Sequence, residues 1–263
     1  MKKTVLSGLM LVMALGASPA LAAPTTLTFD DPVVTSPTQA SGAWYTDRYA
    51  PANFEGGIMF DGDERGKITI SPADSANNRP GTYSGGFYNT QGRKYDLPAG
   101  TAEMSIDYYL SATNLASSER VFGFWGTGVD GLNNVVSYPI TELYNGAFRA
   151  YDSGTGLWNS FGGPALTANT WITLSTKLVG GNWVQTVGTQ SLSVGALGAT
   201  SLTNMIIQGH NTQTGVSTES YFDNLTIGSA VPEPATWAMM IIGFGGVGSM
   251  VRANRRRQAL VLA

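Results

Sequence analysis

Acidic residues close to both ends of the central region have the chemistry that binds a hard cation. Asp30 and Asp31 follow the β-rich run at residues 25–29, and Asp223 lies in the run at residues 221–227. In strict strand alternation each run turns an acid to its apolar side, which in the last run comprises Tyr221, Asp223, Leu225 and Ile227. A carboxylate there is costly without a partner.

Two interpretations of these acids stay open. If the two runs are neighbouring strands, Asp223 could meet Asp30 or Asp31 around a structural calcium ion, which prefers hard oxygen ligands. Alternatively, the acids lie at strand ends, where they are solvated or accept backbone hydrogen bonds. No other cofactor is expected.

Aromatic side chains are the second group with a functional interpretation. Trp44, Tyr45 and Tyr49 lie in a stretch with Gly, Asp and Pro around them, while Trp125 and Trp158 have glycines nearby. Sugar rings stack on exposed aromatic faces. The first three residues are therefore predicted to bind a glycan, and the alternative is that these rings fill the core of the domain.

Signatures of catalysis are absent from the sequence. The chain has no serine-hydrolase, P-loop or zinc-protease motif, and its single histidine, His210, follows Gln208-Gly209 without an identifiable nucleophile. His210 is therefore interpreted as a turn residue. The domain is expected not to be an enzyme. A glycosidase remains the alternative, because two suitably spaced carboxylates cannot be identified from sequence alone.

These residues must be positioned by strands, because period-2 alternation runs through the central region. Met104, Ile106, Tyr108 and Leu110 alternate with polar or half-polar residues, and so do the apolar residues of 171–178. Asn145-Gly146 and Gly180-Gly181 each separate two such runs, as the two-residue loops of hairpins do. About ten to twelve strands follow from this pattern. The predicted fold is all-β, an antiparallel two-sheet sandwich of jelly-roll type.

Composition limits the partners of this domain, which is expected to span residues 23–230. Residues 24–230 contain 9 basic and 17 acidic side chains, a net charge of 9 − 17 = −8, which argues against nucleic acid. The chain has no cysteine. Its core must therefore be stabilised by apolar packing without disulfides.

The N-terminus has the three parts of a secretory signal. Lys2 and Lys3 precede an uncharged run, and Ala20-Leu21-Ala22 offers the small residues that signal peptidase requires. Residues 1–22 are therefore predicted to be a signal peptide, removed by signal peptidase.

The C-terminal tail, residues 231–263, has three parts of its own. A rigid Pro232-Glu233-Pro234 is followed by the uncharged run 237–251 and an arginine cluster at 252–257. As a helix the run reaches about 22 Å, too short to span a hydrocarbon core of about 30 Å comfortably. The arginines would keep the end of the chain in the cytoplasm. We therefore expect a short hydrophobic helix that makes transient membrane contact, with a plain membrane anchor as the alternative.

This tail resembles the PEP-CTERM sorting signal in its PEPxxWA form. The residues that carry the resemblance are Pro232, Glu233, Pro234, Trp237 and Ala238, followed by the cluster of Arg255, Arg256 and Arg257. The resemblance implies recognition and cleavage by an exosortase. It also implies delivery to the cell surface or exopolysaccharide matrix of a Gram-negative bacterium.

A weaker resemblance covers the end of the central region. Trp171 at the start of a strand, the hairpin after it and the closing run 221–227 look like carbohydrate-binding jelly rolls and concanavalin-like lectin domains. The sequence thus predicts an exported, non-catalytic β-sandwich that contacts glycans, including exopolysaccharide. Two alternatives stay open: a secreted glycoside hydrolase or lyase, and a matrix or adhesion protein that binds other proteins.

Overall fold

The computed structural model describes residues 24–72, 90–163 and 165–229, together with Gly243, Phe244 and Arg252 in the tail. The predicted signal peptide and the residues of the sorting signal, from Pro232 to Arg257, lie outside them apart from the three just named. Gly243, Phe244 and Arg252 are helical. Across the described ranges, no helix has the length and apolar character needed to cross a membrane.

The described part of the chain is built almost entirely of strands. Their bounds are β1 Thr25–Leu27, β2 Thr35–Ser36, β3 Trp44–Thr46, β4 Asn53–Phe60, β5 Asp63–Ile70, β6 Gln91–Asp96, β7 Thr101–Leu110, β8 Arg120–Val129, β9 Val135–Ser137, β10 Ile140–Tyr144, β11 Ala147–Asp152, β12 Leu157–Ser160, β13 Thr170–Val179, β14 Asn182–Val187, β15 Gln190–Gly195, β16 Ser201–His210 and β17 Thr218–Ser229. A single-turn helix, α1 Ala112–Leu115, follows β7, and the Ser111 hydroxyl accepts a hydrogen bond from the Asn114 N–H at its start.

The strands form two sheets, which confirms the predicted sandwich. Sheet A has the order β15-β14-β13-β7-β17-β5-β4, with β1 also paired to β17. Sheet B has the order β12-β11-β10-β8-β16-β6-β3-β2, with β9 paired to β8. All these pairs are antiparallel except β2 with β3. The first and last strands of the domain are therefore neighbours, as the calcium hypothesis required.

Both predicted hairpins are confirmed. Asn145 and Gly146 have φ of 50° and 73°, and they connect β10 to β11. Gly180 and Gly181 have φ of 56° and 79°, and they connect β13 to β14. Positive φ at both loop residues matches the twist of the paired strands, which is why Asn and Gly occupy these positions.

The core lies between the inner faces of the two sheets. Alternation on β7 is as predicted, since Met104, Ile106, Tyr108 and Leu110 are all buried there. Aromatic rings fill much of the space, and the Tyr108 and Phe122 rings stack across the sheets with centroids 4.2 Å apart. This packing stabilises a fold without disulfides.

The alternation predicted for the last strand is confirmed for Leu225 and Ile227 and wrong for Tyr221 and Asp223. Phe222, Leu225 and Ile227 are the residues that point into the core, whereas Asp223 points outward. The cause is a break in register after Asp223, where Asn224 has a φ of 50°. A bulge of this kind inserts a residue and reverses the faces of the residues beyond it.

Candidate functional site

The outer side of sheet B carries an apolar cluster separate from the core. On β8, Phe122 and Phe124 point into the core, so alternation turns Gly123 and Trp125 outward. The cluster consists of the buried Trp125, Ile140 and Ile206 and the partly buried Tyr151 and Trp158.

Backbone register places these side chains in one row across five strands. Ile140 pairs with Trp125 on one side and with Tyr151 on the other. Trp125 pairs in turn with Ile206, while Tyr151 pairs with Trp158. The Tyr151 and Trp158 rings have centroids 5.2 Å apart. The row therefore ends in a partly exposed aromatic pair, and Ile140 separates this pair from the buried Trp125.

A buried carboxylate lies in the next row of this face. Glu142 is 0% exposed, and its register partner Arg149 donates from Nε to Oε1 at 2.8 Å. Arg120 Nε lies 3.0 Å from Oε2 of Glu142. Burial raises the pKa of the Glu142 carboxyl, although both guanidinium groups oppose this shift. The Arg149 guanidinium also lies 4.2 Å from the centroid of the Trp158 ring.

Gln208 is the most unusual residue of the face. Its side chain is 0% exposed, and neither amide atom has a hydrogen-bond partner among the residues that the structure describes. Glycines flank it on both neighbouring strands: a Cβ on Gly123 would lie 2.1 Å from Gln208 Nε2, and one on Gly92 would lie 2.6 Å from Gln208 Cβ. The glycines provide the space that this side chain occupies. An unsatisfied buried amide costs about 1–3 kcal/mol, so its retention needs an explanation.

A second buried carboxylate lies at another position on the face. Asp47 accepts hydrogen bonds from Arg48 at 2.8 Å and pairs with Lys94 at 2.9 Å, and the side chain of Asp47 is only 5% exposed. The Arg48 guanidinium lies 5.5 Å from the centroid of the Trp125 ring. Asp47, Arg48 and Lys94 thus adjoin the apolar row.

The interpretation of His210 as a turn residue is wrong. His210 is the last residue of β16, the strand that carries Gln208 two positions earlier. Its Nδ1 lies 3.2 Å from Oε2 of Glu119, which also accepts a hydrogen bond from the Thr212 hydroxyl. The histidine is therefore oriented by a carboxylate beside the Gln208 row.

The three rings predicted to form one glycan-binding cluster are separated by the fold. Trp44 is 3% exposed and packs in the core, with its ring centroid 4.8 Å from that of Phe54. Alternation turns Tyr45 to the other side of β3, where its hydroxyl donates to Asp96 at 2.6 Å. Burial, reinforced by this carboxylate, raises the pKa of Tyr45. Tyr49 lies beyond β3 and bridges to Gln91. Glycan contact by Tyr45 and Tyr49 stays a prediction, whereas Trp44 offers no exposed ring.

The acids of the calcium hypothesis also have different surroundings from those expected. Asp223 is ion-paired with Arg65, so a guanidinium supplies the positive charge that calcium was expected to supply. Asp30 and Asp31 are both exposed, and Asp30 accepts a hydrogen bond from the Thr28 hydroxyl. Within the described ranges, no group of three or more acidic or histidine side chains could hold a metal ion. Calcium binding by Asp223 with Asp30 or Asp31 stays a prediction.

The outer side of sheet A has aromatic rings that pack on one another. The Phe60 ring stacks on the Tyr221 ring at 3.7 Å and meets the Tyr109 ring edge-on at 4.8 Å. Tyr109 in turn contacts Trp171, whose indole N–H donates to Asp61. Polar groups of this side are also paired with each other, since Asp107 accepts hydrogen bonds from the side chains of Thr173 and Asn224.

Sequence reasoning selected part of the face of sheet B. It identified Trp125 and Trp158 as rings beside glycines, but it did not identify Glu142, Arg149 or Gln208. Alternation on β10 does turn Glu142 to the side opposite the core residue Leu143. Which strand would lie beside it, however, depends on long-range pairing that local patterns do not contain.

The family comparison identifies the tail. Residues 230–257 match the model of the PEP-CTERM protein-sorting motif, which confirms the resemblance stated above. This motif indicates an exported protein and implies processing by an exosortase. No curated protein is significantly similar to the chain in sequence.

Solved structures with a similar fold act on glycans. An endo-β-galactosidase from Clostridium perfringens that releases GlcNAcα1-4Gal aligns with a TM-score of 0.50 at 10% identity, over 79% of this chain and 62% of that one. A sialidase aligns with a TM-score of 0.48 at 11% identity, over 79% of this chain but only 18% of the sialidase. An alginate lyase from Chlorella virus aligns with a TM-score of 0.41 at 16% identity, over 72% and 94% of the two chains.

These likenesses concern the fold alone, yet they correct one expectation. From its sequence the domain was expected not to be an enzyme, because it carries no familiar catalytic motif. The endo-β-galactosidase has a similar fold, so this expectation is wrong: an enzyme is possible on this fold. The fold by itself does not show catalysis either.

Proposed function

We propose that this exported domain binds a glycan on the outer face of sheet B, at the cell surface or in the exopolysaccharide matrix of a Gram-negative bacterium. The observation that carries the proposal is Gln208, a fully buried amide whose two polar atoms have no hydrogen-bond partner within the described ranges. An amide that can both donate and accept suits a sugar, whose hydroxyl groups do the same. The flanking Gly123 and Gly92 leave room for this side chain, because a Cβ at either position would clash with it.

The surroundings of Gln208 have the other parts of a sugar-binding site. Trp158 and Tyr151 provide partly exposed ring faces, on which the apolar side of a sugar can stack. Glu142 and Arg149 are fixed by their mutual hydrogen bonds, so they provide polar groups of defined orientation. The sorting motif supports the location, because an exported protein processed by an exosortase meets polysaccharide outside the cell.

Cleavage of the bound glycan is a second candidate function. It is favoured by the contact between His210, the last residue of β16, and the carboxylate of Glu119. A carboxylate commonly orients a histidine that acts as a base. The buried Glu142 adds a carboxyl whose pKa burial raises, as an acid catalyst requires. Release of reducing ends or of unsaturated sugars during incubation with polysaccharides would distinguish cleavage from binding alone.

Glycan-array binding by the full-length protein tests the proposal, with two tryptophan variants as a matched pair. Trp158→Ala removes a half-buried ring from sheet B and should weaken binding about ten- to hundredfold, the effect of about 1–3 kcal/mol of stacking. Trp171→Ala removes a half-buried ring from sheet A and should leave affinity unchanged. Equal losses from both variants would contradict the assignment of the site to sheet B. A protein that binds no glycan would favour the adhesion alternative.

A further inference from the structure

We infer that one end of the sandwich rests on a lipid membrane while the C-terminal tail is attached. This end, the apolar end, consists of four loop segments: residues 130–139, 152–157, 179–182 and 195–200. The inference goes beyond glycan binding and does not depend on the outer face of sheet B. It rests instead on the predicted membrane contact of the tail.

Exposed apolar side chains are concentrated at the apolar end. Among the described residues of the sandwich, ten large apolar side chains are exposed, and six of them lie in these four segments. The six are Leu132, Val135, Tyr138, Leu157, Val179 and Leu197. A single exposed apolar residue is ordinary, whereas a group of them at one end of a molecule indicates contact with a partner or a membrane.

The four segments contact one another and form one surface. A hydrogen bond joins the first segment to the second, and another joins the third to the fourth, while the second and fourth are in van der Waals contact. These connections are the Tyr138 N–H to the Ser153 hydroxyl at 2.8 Å, the Ala196 N–H to the Gly181 carbonyl at 3.1 Å, and Leu197 Cδ2 to the position of a Cβ on Gly154 at 3.5 Å.

The C-terminal tail leaves the domain at this same end. Ser229, the last residue of β17, pairs with Thr101 at the start of β7. Lys177 of β13 pairs with Glu103, two residues further along β7, and the hairpin at residues 180–181 follows. The exit of the tail and the third segment of the apolar end therefore lie at one end of sheet A.

The length of the connecting chain limits how far the apolar end can be from a membrane. Seven residues, 230–236, separate Ser229 from the uncharged run 237–251, and they reach at most about 25 Å. The predicted signal peptide joins the domain at this end too, because Thr25 of β1 pairs with Ile227 of β17. Both segments that are expected to contact a membrane thus adjoin the apolar end, which favours a lipid surface as its partner.

The turn at Leu197 provides an independent observation. The Ala199 N–H donates to the Ala196 carbonyl at 3.0 Å, and Leu197 and Gly198 between them have φ of 54° and 84°. These are the angles of a type I′ turn, in which Asn-Gly fits best and a leucine is strained. Burial offsets only part of this strain, because Leu197 is 49% exposed. Contact with the apolar part of a membrane would explain why a leucine occupies this position.

Leu132 is held in water by a fixed loop. It is 84% exposed, more than any other large apolar residue that the structure describes. The carboxylate of Asp130 accepts hydrogen bonds from the N–H groups of Leu132 and Asn134 at 2.9 and 2.8 Å, which fixes the loop. Insertion into the boundary between headgroups and acyl chains would remove this side chain from water without a change in the loop.

The charge of the apolar end defines the kind of lipid. Asp130 and Asp152 are the only charged residues in the four segments, so an acidic lipid surface would repel them. The surface that fits is a membrane of lipids without net charge, such as phosphatidylethanolamine.

The test uses full-length protein on vesicles of phosphatidylcholine and phosphatidylethanolamine. Because the chain has no cysteine, Leu132→Cys and Val216→Cys each accept one fluorescent label, the second at the opposite end of the sandwich. Strand β16, which connects the two ends, has 10 residues and is about 33 Å long. Lipids with brominated chains should therefore quench the label at residue 132 and not the label at residue 216. Phosphatidylglycerol in the vesicles should weaken the quenching.

A second variant separates membrane contact from folding. Leu197→Asn suits the type I′ turn, so the melting temperature should stay the same or rise, whereas vesicle affinity should fall about three- to tenfold. Val216→Asn removes an apolar side chain of similar exposure from the opposite end and should leave the affinity unchanged.

The outcomes are separate from those of glycan binding, since no polysaccharide is present. Equal quenching of both labels, or quenching of neither, would overturn the inference, and so would vesicle affinity that Leu197→Asn leaves unchanged. If the label at residue 132 is shielded without lipid and light scattering shows a dimer, the apolar end joins two copies of the protein and the inference is wrong.

Discussion

The two outer faces of the sandwich differ in how their aromatic and polar side chains are paired. On sheet A, aromatic rings cover one another and Asp107 accepts hydrogen bonds from two neighbouring side chains. Single buried atoms without a hydrogen-bond partner among the described residues occur on this face as well, such as Oδ1 of Asp223 and Nε of Arg65. On sheet B, both amide atoms of the fully buried Gln208 lack such a partner. The difference teaches that one unsatisfied atom beside an ion pair does not mark a site, whereas a whole buried amide without partners needs an explanation.

Glycines are the local cause of this difference. On sheet A the strand neighbours of Asp107 are Thr173 and Asp223, whose side chains reach partners. On sheet B the strand neighbours of Gln208 are Gly123 and Gly92, which offer none. The two residues beside Gln208 on sheet B therefore leave space for its side chain and provide no side-chain partner for its amide.

The largest expected effect concerns a residue on neither outer face. Trp44→Ala should lower the free energy of unfolding by about 3–5 kcal/mol, because it leaves a cavity in the aromatic core beside Phe54. Tyr45→Phe, the next residue on the outer face, should cost about 1 kcal/mol through the bond to Asp96. Thermal and denaturant unfolding would measure both. If Trp44→Ala kept its stability but lost glycan binding, the Trp44 ring would belong to the glycan-binding site and not to the core.

Gln208 gives the sharpest contrast between the faces. Gln208→Met keeps the shape of the side chain and removes its unpartnered amide, so the ligand-free domain should gain about 1 kcal/mol while glycan affinity falls at least tenfold. Thr173→Val on sheet A removes a hydroxyl that donates to Asp107 and should instead lose about 1 kcal/mol without a change in affinity. Chemical denaturation beside glycan binding would measure both signs. Destabilisation by Gln208→Met would show that the amide is satisfied within the protein.

The smallest effect is a pH dependence on sheet A. Burial raises the pKa of Asp223 above its ordinary 3.8, against the opposing effects of the Asn224 N–H and Arg65. The folded state then binds more protons than the unfolded state between the two pKa values. Protonated Asp223 therefore contributes stability that is fully present below pH 3.8 and is lost as the pH rises through the folded pKa. Relative to Asp223→Asn, the wild type should lose stability over that rise by about 1 kcal/mol or less. Denaturant unfolding at several pH values measures it, and the opposite trend would mean that Arg65 dominates.

Local sequence patterns were sufficient to predict some elements of the fold and insufficient to predict others. The hairpins at Asn145-Gly146 and Gly180-Gly181 were predicted because Asn and Gly are the residue types that adopt the required positive φ. The faces of β17 were mispredicted because the bulge at Asn224 is set by pairing with β7, more than a hundred residues earlier. Trp44 was predicted to be a surface ring because β3 has only three residues, too few to show an alternation of buried and exposed side chains.

The sequence by itself determined the all-β class, the two hairpins, the inner face of β7 and the sorting motif, because each depends on residues close together in the chain. Only the tertiary structure decided that Gln208 would lie between Gly123 and Gly92, that Glu142 would meet two arginines and that Asp223 would meet Arg65. These contacts join strands distant in sequence, and their register follows from the packing of both sheets as a whole.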